Sequence, residues 1–243
     1  VNNVGNPVAA LDYTNDQSFG NRLMGNFYAD WEIIKGLKFN TSLGLDAYGN
    51  EGRNYQRRYR VSGTQRYDTT TYTVSANNGY RWIWNQLLTY DANINKNQSL
   101  KVIAGHTAEQ YDGEMYAISR DGVPSKPQYR YINTGASTIQ GNILYQRPVS
   151  DYGSRESYLA KVSYAYYDKI FVSGSFRRDG SSKFPVQNRW GNFPSVGLAW
   201  DLTKESFFPR SKNFNYLKAR ASWGKVGNDR INPSEFVTLL STG

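Results

Sequence analysis

Apolar residues recur at every second position along neighbouring segments of this chain, and a polar connection joins each segment to the next. In residues 21–34 the apolar positions share one parity, and the same parity resumes in residues 37–45 after a short turn at Lys35 and Gly36. Successive side chains of a β-strand point to opposite faces, so this period of two predicts strands with one apolar face. The short turn between them predicts an antiparallel hairpin.

The same hairpin pattern recurs along the rest of the chain. Alternating segments flank short turns at 96–98 and 167–169, and a longer turn at 203–214 separates the last pair. The alternation predicts about eight strands, with a ninth beginning near Phe236. Longer polar segments lie between the hairpins, at 49–79, 111–156, 179–192 and 227–234. The predicted fold class is therefore all-β and antiparallel.

Short and long connections alternate strictly along the chain, and this alternation predicts how the sheet is arranged. In bacterial outer-membrane barrels the short turns are periplasmic and the long loops extracellular, so the alternation predicts a transmembrane β-barrel and its orientation. The chain has no run of about 18 apolar residues, which excludes a transmembrane helix but not barrel strands, because these show lipid only one apolar face. A soluble sandwich or propeller also has short alternating strands, but has no reason to place every long loop at one end.

The tryptophans fit the same architecture. Most of the six tryptophans fall in the apolar register, towards the predicted ends of strands. A transmembrane barrel carries aromatic girdles where its outer face meets the two membrane interfaces, so we predict a girdle here. Its members are Trp31, Trp82, Trp84, Trp200 and Trp223. The alternative is a set of sandwich-core tryptophans, which would lie in mid-strand as often as at strand ends.

The net charge constrains the partners of the chain. A formal charge of +9 indicates an anionic neighbour such as lipid phosphate or nucleic acid. The basic residues alternate with apolar ones or stand singly in loops, instead of forming one stripe. This distribution favours outer-membrane lipid and argues against nucleic acid.

The sequence offers little for catalysis or metal binding. It has no cysteine, which excludes disulfides and thiolate zinc sites, and its one histidine, His106, makes a poor metal site alone. Asp30 and Glu32 lie two residues apart on the polar parity, where a water-filled barrel is expected to carry carboxylates in any case. We therefore expect no catalytic residue, no metal ligand and no cofactor.

Segments in the second half carry a resemblance to a known family. Residues 176–184 read Phe-Arg-Arg-Asp-Gly-Ser-Ser-Lys-Phe, and residues 190–195 read Trp-Gly-Asn-Phe-Pro-Ser. A further strand-like segment follows at 217–228. Together with the hairpins at 21–39 and 88–105, these segments resemble the barrel of the SusC/RagA-type TonB-linked outer-membrane transporters. The resemblance extends over nearly the whole chain.

The resemblance implies a barrel of about 22 strands, filled by an N-terminal plug, energised through TonB and capped by a SusD-type surface lipoprotein. It implies import of an oligosaccharide or a peptide across the bacterial outer membrane, by a transport protein and not an enzyme. Residues 1–243 would then be an interior part of a TonB-dependent receptor β-barrel domain. We expect the plug, the signal peptide and the C-terminal strands to lie outside this sequence.

Aromatic residues are frequent in the long polar segments, among Asn, Arg and Gln. Aromatic rings with polar neighbours suit sugars and peptides, whose apolar faces stack while their polar edges form hydrogen bonds. The candidate contacts to substrate or lipoprotein are Tyr55, Tyr59, Tyr67, Tyr116, Tyr129, Tyr131 and Trp190. The alternative is that these rings pack against each other. Arg177 and Asp179 share the polar parity of one strand, and we predict an ion pair that braces the barrel wall, with substrate contact as the alternative.

Two other functions stay open on the sequence alone. A structural or adhesive outer-membrane barrel would have the same strands without transport, whereas an importer must also carry a plug and a TonB-contacting segment upstream. A soluble carbohydrate-binding β-protein is the third hypothesis. It is distinguished by whether the chain dissolves without detergent.

Overall fold

A computed structural model describes residues 7–61, 63, 66–136, 143–146, 152–209 and 215–231. Long antiparallel strands make up most of these residues. The strands are β1 (Thr14–Ile34), β2 (Leu37–Gln56), β3 (Tyr59–Arg60), β4 (Arg66–Tyr67), β5 (Thr71–Asn95), β6 (Gln98–Asp121), β7 (Ile143–Gln146), β8 (Gly153–Tyr166), β9 (Ile170–Ser181), β10 (Trp190–Asp201) and β11 (Lys218–Gly224). Helical pieces are short: α1 (Pro7–Tyr13) and 3-10 turns at Pro127–Tyr129, Ile132–Thr134, Val186–Asn188 and Leu202–Lys204.

The sheet follows the order of the chain. Its strands lie in the order β1-β2-β5-β6-β8-β9-β10-β11, β7 also pairs with β6, and β3 and β4 form a separate two-stranded sheet. The pairs β6–β8, β8–β9, β9–β10 and β10–β11 are antiparallel. The predicted all-β antiparallel fold is confirmed. No helix in the described part of the chain is long and apolar enough to cross a membrane.

Two of the short turns need unusual backbone angles. Gly36, between β1 and β2, has φ +85°, and a Cβ there would overlap the carbonyl oxygen of Asp91, whose backbone N–H donates to Gly36. Only glycine has both the left-handed freedom and the small volume that this turn requires. Between β8 and β9, Tyr167 and Asp168 have φ of 51° and 50°, as expected for a tight hairpin turn of the type I′ class.

The strands extend further than the sequence predicted. β2 continues to Gln56, β5 begins at Thr71 and β6 continues to Asp121, all within segments predicted to be irregular. The ends of β2 and β6 lack an apolar face, and alternation of apolar residues was the only signal for a strand. At the start of β5, Tyr72, Val74 and Ala76 do alternate with polar residues, and the prediction missed this short pattern. The predicted strand near Phe236 lies outside the described residues.

The described residues fall into two compact units. The first unit takes its residues from Val1–Met24, Asp46–Tyr80 and Asp112–Tyr152. Its buried cluster contains Tyr55, Tyr72 and Val123, with Val74 and Ile132 packed against it. The Tyr55 side chain is 2% exposed, and the Arg130 guanidinium lies 3.9 Å from the centre of its ring. The first unit thus has a small buried core of aromatic and aliphatic side chains.

The second unit takes its residues from Gly25–Leu45, Arg81–Tyr111 and Gly153–Gly243. Its strands are in register, so that residues paired across the sheet form rows on one face. One row joins Val102, Val162, Gly174, Val196 and Trp223. Val162 is 46% exposed. We call the side that carries Val162 the apolar face.

The neighbouring row of the second unit lies on the opposite side of the sheet and is polar. It joins Lys101, Ser163, Ser173, Gly197 and Ser222. We call this side the polar face. Arg177 and Asp179 share the parity of Ser173 on β9, so they lie on the polar face, as the sequence predicted.

Candidate functional site

The polar face of the second unit carries the predicted Arg177–Asp179 pair. Both residues lie on β9, two positions apart, so their side chains point to the same side. Arg177 Nε donates to both carboxylate oxygens of Asp179, at 2.7 and 2.8 Å. Arg177 Nη2 also donates to Ser157 Oγ on β8, at 3.2 Å. The geometry therefore links two neighbouring strands, while a bracing function stays a prediction.

A second group of charges lies on the same face. Arg155 Nε lies 2.6 Å from Asp229 Oδ2, although the N–H is not aligned for a hydrogen bond. Arg155 also approaches Glu109, and Arg81 Nη2 lies 2.5 Å from Glu109 Oε1. Glu109 is 7% exposed. A buried carboxylate requires charged partners, and the two arginines supply them.

A cavity of about 320 Å³ opens between these groups. Its lining includes Arg155 and Asp229, the pair Arg177 and Asp179, and residues of both family-like segments. Further lining side chains come from Phe184, Asn188, Arg189, Phe193 and Asn228. Charged groups and aromatic rings thus converge on one space large enough for a small organic group.

A wider concavity of about 640 Å³ lies further along the strands. It is lined by mid-strand residues that include Ser163, Ser173 and Ser222, and by the ion pair of Lys101 with Asp91. Its lining also contains Lys161, Tyr164, Phe171 and Arg220, but the described residues of the smaller cavity bring three arginines together with two phenylalanine rings. We therefore take the smaller cavity as the candidate site.

Arg189 is a lining residue that the sequence analysis missed. Its Nε is buried and has no hydrogen-bond partner among the described residues. An arginine in a polar segment carries no sequence signal that separates it from a solvated surface charge. Arg155 and Asp229 were missed for a similar reason, because they are far apart in sequence and meet only through the fold.

The predicted tyrosines of the first unit have different environments. The Tyr59 ring stacks on Tyr13, with centroids 4.5 Å apart, and meets Tyr67 at 5.4 Å. Tyr116, Tyr129 and Tyr131 are exposed, as is Tyr67. Tyr55 lies in the buried cluster, where its ring has no free face. The exposed tyrosines are accessible to a ligand, and Tyr55 instead packs inside the first unit.

Trp190 lies at the start of β10, paired with Gly180, and not in an irregular loop. Its ring covers Gly180 on the apolar face, where a Cβ would lie 3.0 Å from ring atoms. The Arg178 guanidinium lies 4.9 Å from the centre of a Trp190 ring. The ring also lies near Tyr158, with centroids 6.1 Å apart.

The predicted girdle tryptophans are largely solvent-accessible in the structure, and two of them donate hydrogen bonds. Trp84 Nε1 donates to Thr41 Oγ1 at 2.9 Å, and Trp200 Nε1 donates to Glu205 Oε1 at 3.1 Å. Trp31, Trp84, Trp200 and Trp223 are exposed, and Trp82 is half-buried. An indole that is apolar at one end and hydrogen-bonded at the other suits a membrane interface.

Glu205 lies outside the strands, in the connection after β10. The hydrogen bond from Trp200, together with the hydrogen bond from Lys169 at 3.2 Å, holds its pKa below the usual value of a glutamate. Both donors stabilise the carboxylate form. The connection is thus tied to β10 and to the turn that precedes β9.

His106 lies on the apolar parity of β6 and is fully engaged with neighbours. Its Nδ1 is 2.6 Å from Gln86 Oε1, and its Nε2 is 3.1 Å from Glu156 Oε1. Among the residues that the structure describes, no group of three His, Cys, Asp or Glu side chains is arranged to hold a metal ion.

No family model matches the chain, but individual proteins do. It is 30% identical over 249 residues to TonB-dependent receptor P3 of Formosa agariphila, an alignment that covers 98% of this chain and 23% of that protein. It is 28% identical over 233 residues to TonB-dependent receptor SusC of Bacteroides thetaiotaomicron, covering 93% of this chain and 21% of that protein. The resemblance to SusC/RagA-type receptors is confirmed.

A solved structure, that of the RagAB peptide transporter, matches with a TM-score of 0.80 at 19% identity. The match covers 92% of this chain and 24% of the transporter chain. At this identity it establishes the fold, and the predicted class, an antiparallel segment of a transmembrane β-barrel, is confirmed. The chain spans about a quarter of the length of the SusC/RagA-type proteins that it matches.

Proposed function

We propose that this chain forms an interior part of the barrel wall of an outer-membrane, TonB-dependent importer. The full-length protein would import an oligosaccharide or a peptide, would be energised through TonB and would work with a SusD-type lipoprotein. Its relatives are receptors and transporters, which supports a transport role and gives no support to an enzymatic one. The proposed location is the bacterial outer membrane.

One observation carries this proposal, namely the division of the second unit into two faces. The apolar face exposes the row that contains Val162 and Val196, which a lipid environment would cover. The polar face holds the charged cavity, which a water-filled lumen would keep solvated. A barrel wall that separates lipid from an aqueous pathway has this division.

The exposed tyrosines of the first unit are the proposed contacts to nutrient or lipoprotein. Tyr129 ends one 3-10 turn and Tyr131 directly precedes the next, and both rings are exposed. Exposed aromatic rings bind sugars and peptides by stacking, at about 1 kcal/mol for each ring. Their loss should lower uptake without changing assembly of the wall.

The experiment replaces Tyr129 and Tyr131 with alanine in the full-length protein. A separate variant shortens residues 137–152, the later part of the connection between β6 and β8, so that Val123, Arg130 and Ile132 around Tyr55 are kept. Loops tolerate length changes cheaply, so barrel assembly should continue. Growth on a panel of oligosaccharides and peptides, and recovery of the lipoprotein by pull-down, should both fall. Tyr167→Ala is the matched control, because Tyr167 is an exposed tyrosine of a short turn.

Undiminished growth and undiminished lipoprotein recovery in both variants, at normal protein levels, would remove support for the loop role. Recovery of the lipoprotein with no uptake of any nutrient, even by the unmodified protein, would favour a structural or adhesive barrel instead.

A further inference from the structure

The charged cavity of the second unit is lined by more cationic than anionic side chains. Three arginines line it: Arg155, Arg177 and Arg189. Asp229 lies against the first and Asp179 against the second, so each of these guanidinium groups has an aspartate beside it. Arg189 has no ion pair or hydrogen bond to its side chain among the described residues. The cavity therefore presents one uncompensated cation.

The Arg189 side chain is half-buried, with one guanidinium nitrogen enclosed. Its Nε atom is inaccessible to water and unpaired within the described ranges of the chain. A buried donor without a partner destabilises a fold, and the effect is larger for a charged donor. Most buried donors in folded proteins are paired, so Arg189 Nε is expected to meet an acceptor that is not part of the described chain.

The other lining residues of the cavity indicate which further groups a ligand with that acceptor would carry. Phe184 and Phe193 supply aromatic surface, and Asn188 and Asn228 supply amides. The Phe193 ring is accommodated by two glycines: a Cβ at Gly191 would lie 2.6 Å from the ring, and one at Gly227 would overlap it. The ring is thus held at a place that only glycine neighbours allow.

We infer that this cavity binds an anionic ligand, with a carboxylate against Arg189 and an apolar portion against Phe184 and Phe193. A guanidinium offers parallel N–H donors that match the two oxygens of a carboxylate. The ligand class is an acidic oligosaccharide or an acidic peptide, which share this carboxylate. The inference rests on the proposed function, because it takes the cavity to be part of the import pathway.

The test measures binding to the full-length protein with its lipoprotein, in detergent, by isothermal titration. One arm uses tri-galacturonate and its carboxyl-reduced neutral twin. The other arm uses a phenylalanine-containing peptide amide with one glutamate, and its glutamine twin. Charge-assisted hydrogen bonds predict that at least one acidic probe binds about tenfold or more tightly than its neutral twin. Arg189→Gln should remove this difference, and Arg189→Lys should restore part of it.

The matched control is Arg220→Gln, which removes an arginine on β11 that does not line the cavity. It should leave the preference for the acidic probe unchanged. No preference in either arm, or an unchanged preference in Arg189→Gln, would overturn the inference. A loss of barrel stability in Arg189→Gln without loss of preference would assign the missing acceptor to another part of the protein, and would also overturn it.

Uptake separates this inference from the proposed function. If neutral nutrients are imported but acidic probes are not preferred, the importer role stands and the cavity assignment fails. If the probes bind as expected but nothing is imported, the site stands and the importer role fails.

Discussion

The two units of this chain use apolar side chains in opposite ways. In the first unit, Tyr55 is buried with Tyr72 and Val123 beneath the Arg130 guanidinium. In the second unit, Val162 is almost half exposed, and its row also exposes Val196 and Trp223. The same strands β2, β5 and β6 contribute to both units. On the proposed function, the second region faces lipid with these side chains, whereas the cluster around Tyr55 is an ordinary buried core.

This contrast teaches that burial alone does not identify stabilising residues in such a protein. A core residue of the first unit is recognised by its low exposure. A lipid-facing residue of the second unit is recognised by its row in the sheet and by the polarity of the opposite row. Ser163 and Val162 are neighbours in sequence, yet substitutions at the two positions should have very different costs.

The largest expected effect comes from breaking the core of the first unit. Tyr55→Ala should cost about 3 kcal/mol or more in local stability, as for other large-to-small aromatic changes in cores. Hydrogen exchange or protease cleavage near Val123 would measure it. Tyr55→Phe is the control, because the Tyr55 hydroxyl has no hydrogen-bond partner within the described part of the chain. It should be close to neutral, and an equal loss in both variants would contradict a packing role.

The second effect tests the lipid-facing side of the comparison. Val162→Arg, in the full-length protein, places a charge opposite hydrocarbon and should cost about 2 to 4 kcal/mol near the membrane midplane. Ser163→Arg places the same charge on the polar face and should cost much less. Heat-modifiability on gels reports the folded barrel fraction. Equal losses for both variants would refute the assignment of the two faces.

A smaller effect is expected from surface ion pairs, and each unit offers one. Arg177 and Asp179 in the second unit have side chains 51% and 34% exposed, and Arg22 and Asp46 in the first unit 60% and 32%. Solvent screens both pairs, so double-mutant cycles with Gln and Asn should give coupling energies of about 0.5 kcal/mol each. A much larger coupling at Arg177 would mean that this pair stabilises the wall more than exposure allows.

The smallest effect concerns pH and the connection after β10. The lowered pKa of Glu205 means that its carboxylate contributes stability above the ordinary glutamate range. This contribution is lost as pH falls through the folded pKa, because the protonated acid is a weaker acceptor for Trp200 Nε1 and no longer attracts Lys169. The unfolding midpoints of the unmodified protein and Glu205→Gln should therefore differ at neutral pH and converge in acid. A difference that does not depend on pH would contradict the ionic origin.

The sequence predicted the second unit better than the first. Alternation of apolar residues located β8, β9 and β10 and their two faces, because one face is built for lipid. The shared parity of Arg177 and Asp179 also predicted their contact. The ends of β2 and β6 in the first unit have no apolar face, so periodicity had nothing to detect there.

The candidate cavity was beyond sequence reasoning for a different reason. A tyrosine in a polar segment has the same sequence signal whether it stacks on a ligand, as Tyr131 is free to do, or fills a core, as Tyr55 does. Arg189 is recognised as a cavity residue only from the side chains around it. Arg155 and Asp229 are distant in sequence and meet only after β8 and the segment beyond β11 are in place. These are tertiary contacts, which a local sequence pattern does not predict.

The strand order described above also has a kinetic consequence. Each strand of the main path pairs with the one before it, so every pairing requires closure of only the connection between them. Closure entropy grows slowly with loop length, by about 0.6 kcal/mol for each doubling. Hairpins with two-residue turns should therefore form first, and the β6–β8 pairing, which closes residues 122–152, should form late. The wall therefore assembles by successive pairing of neighbouring strands, and the slowest pairing step is the one across the longest connection.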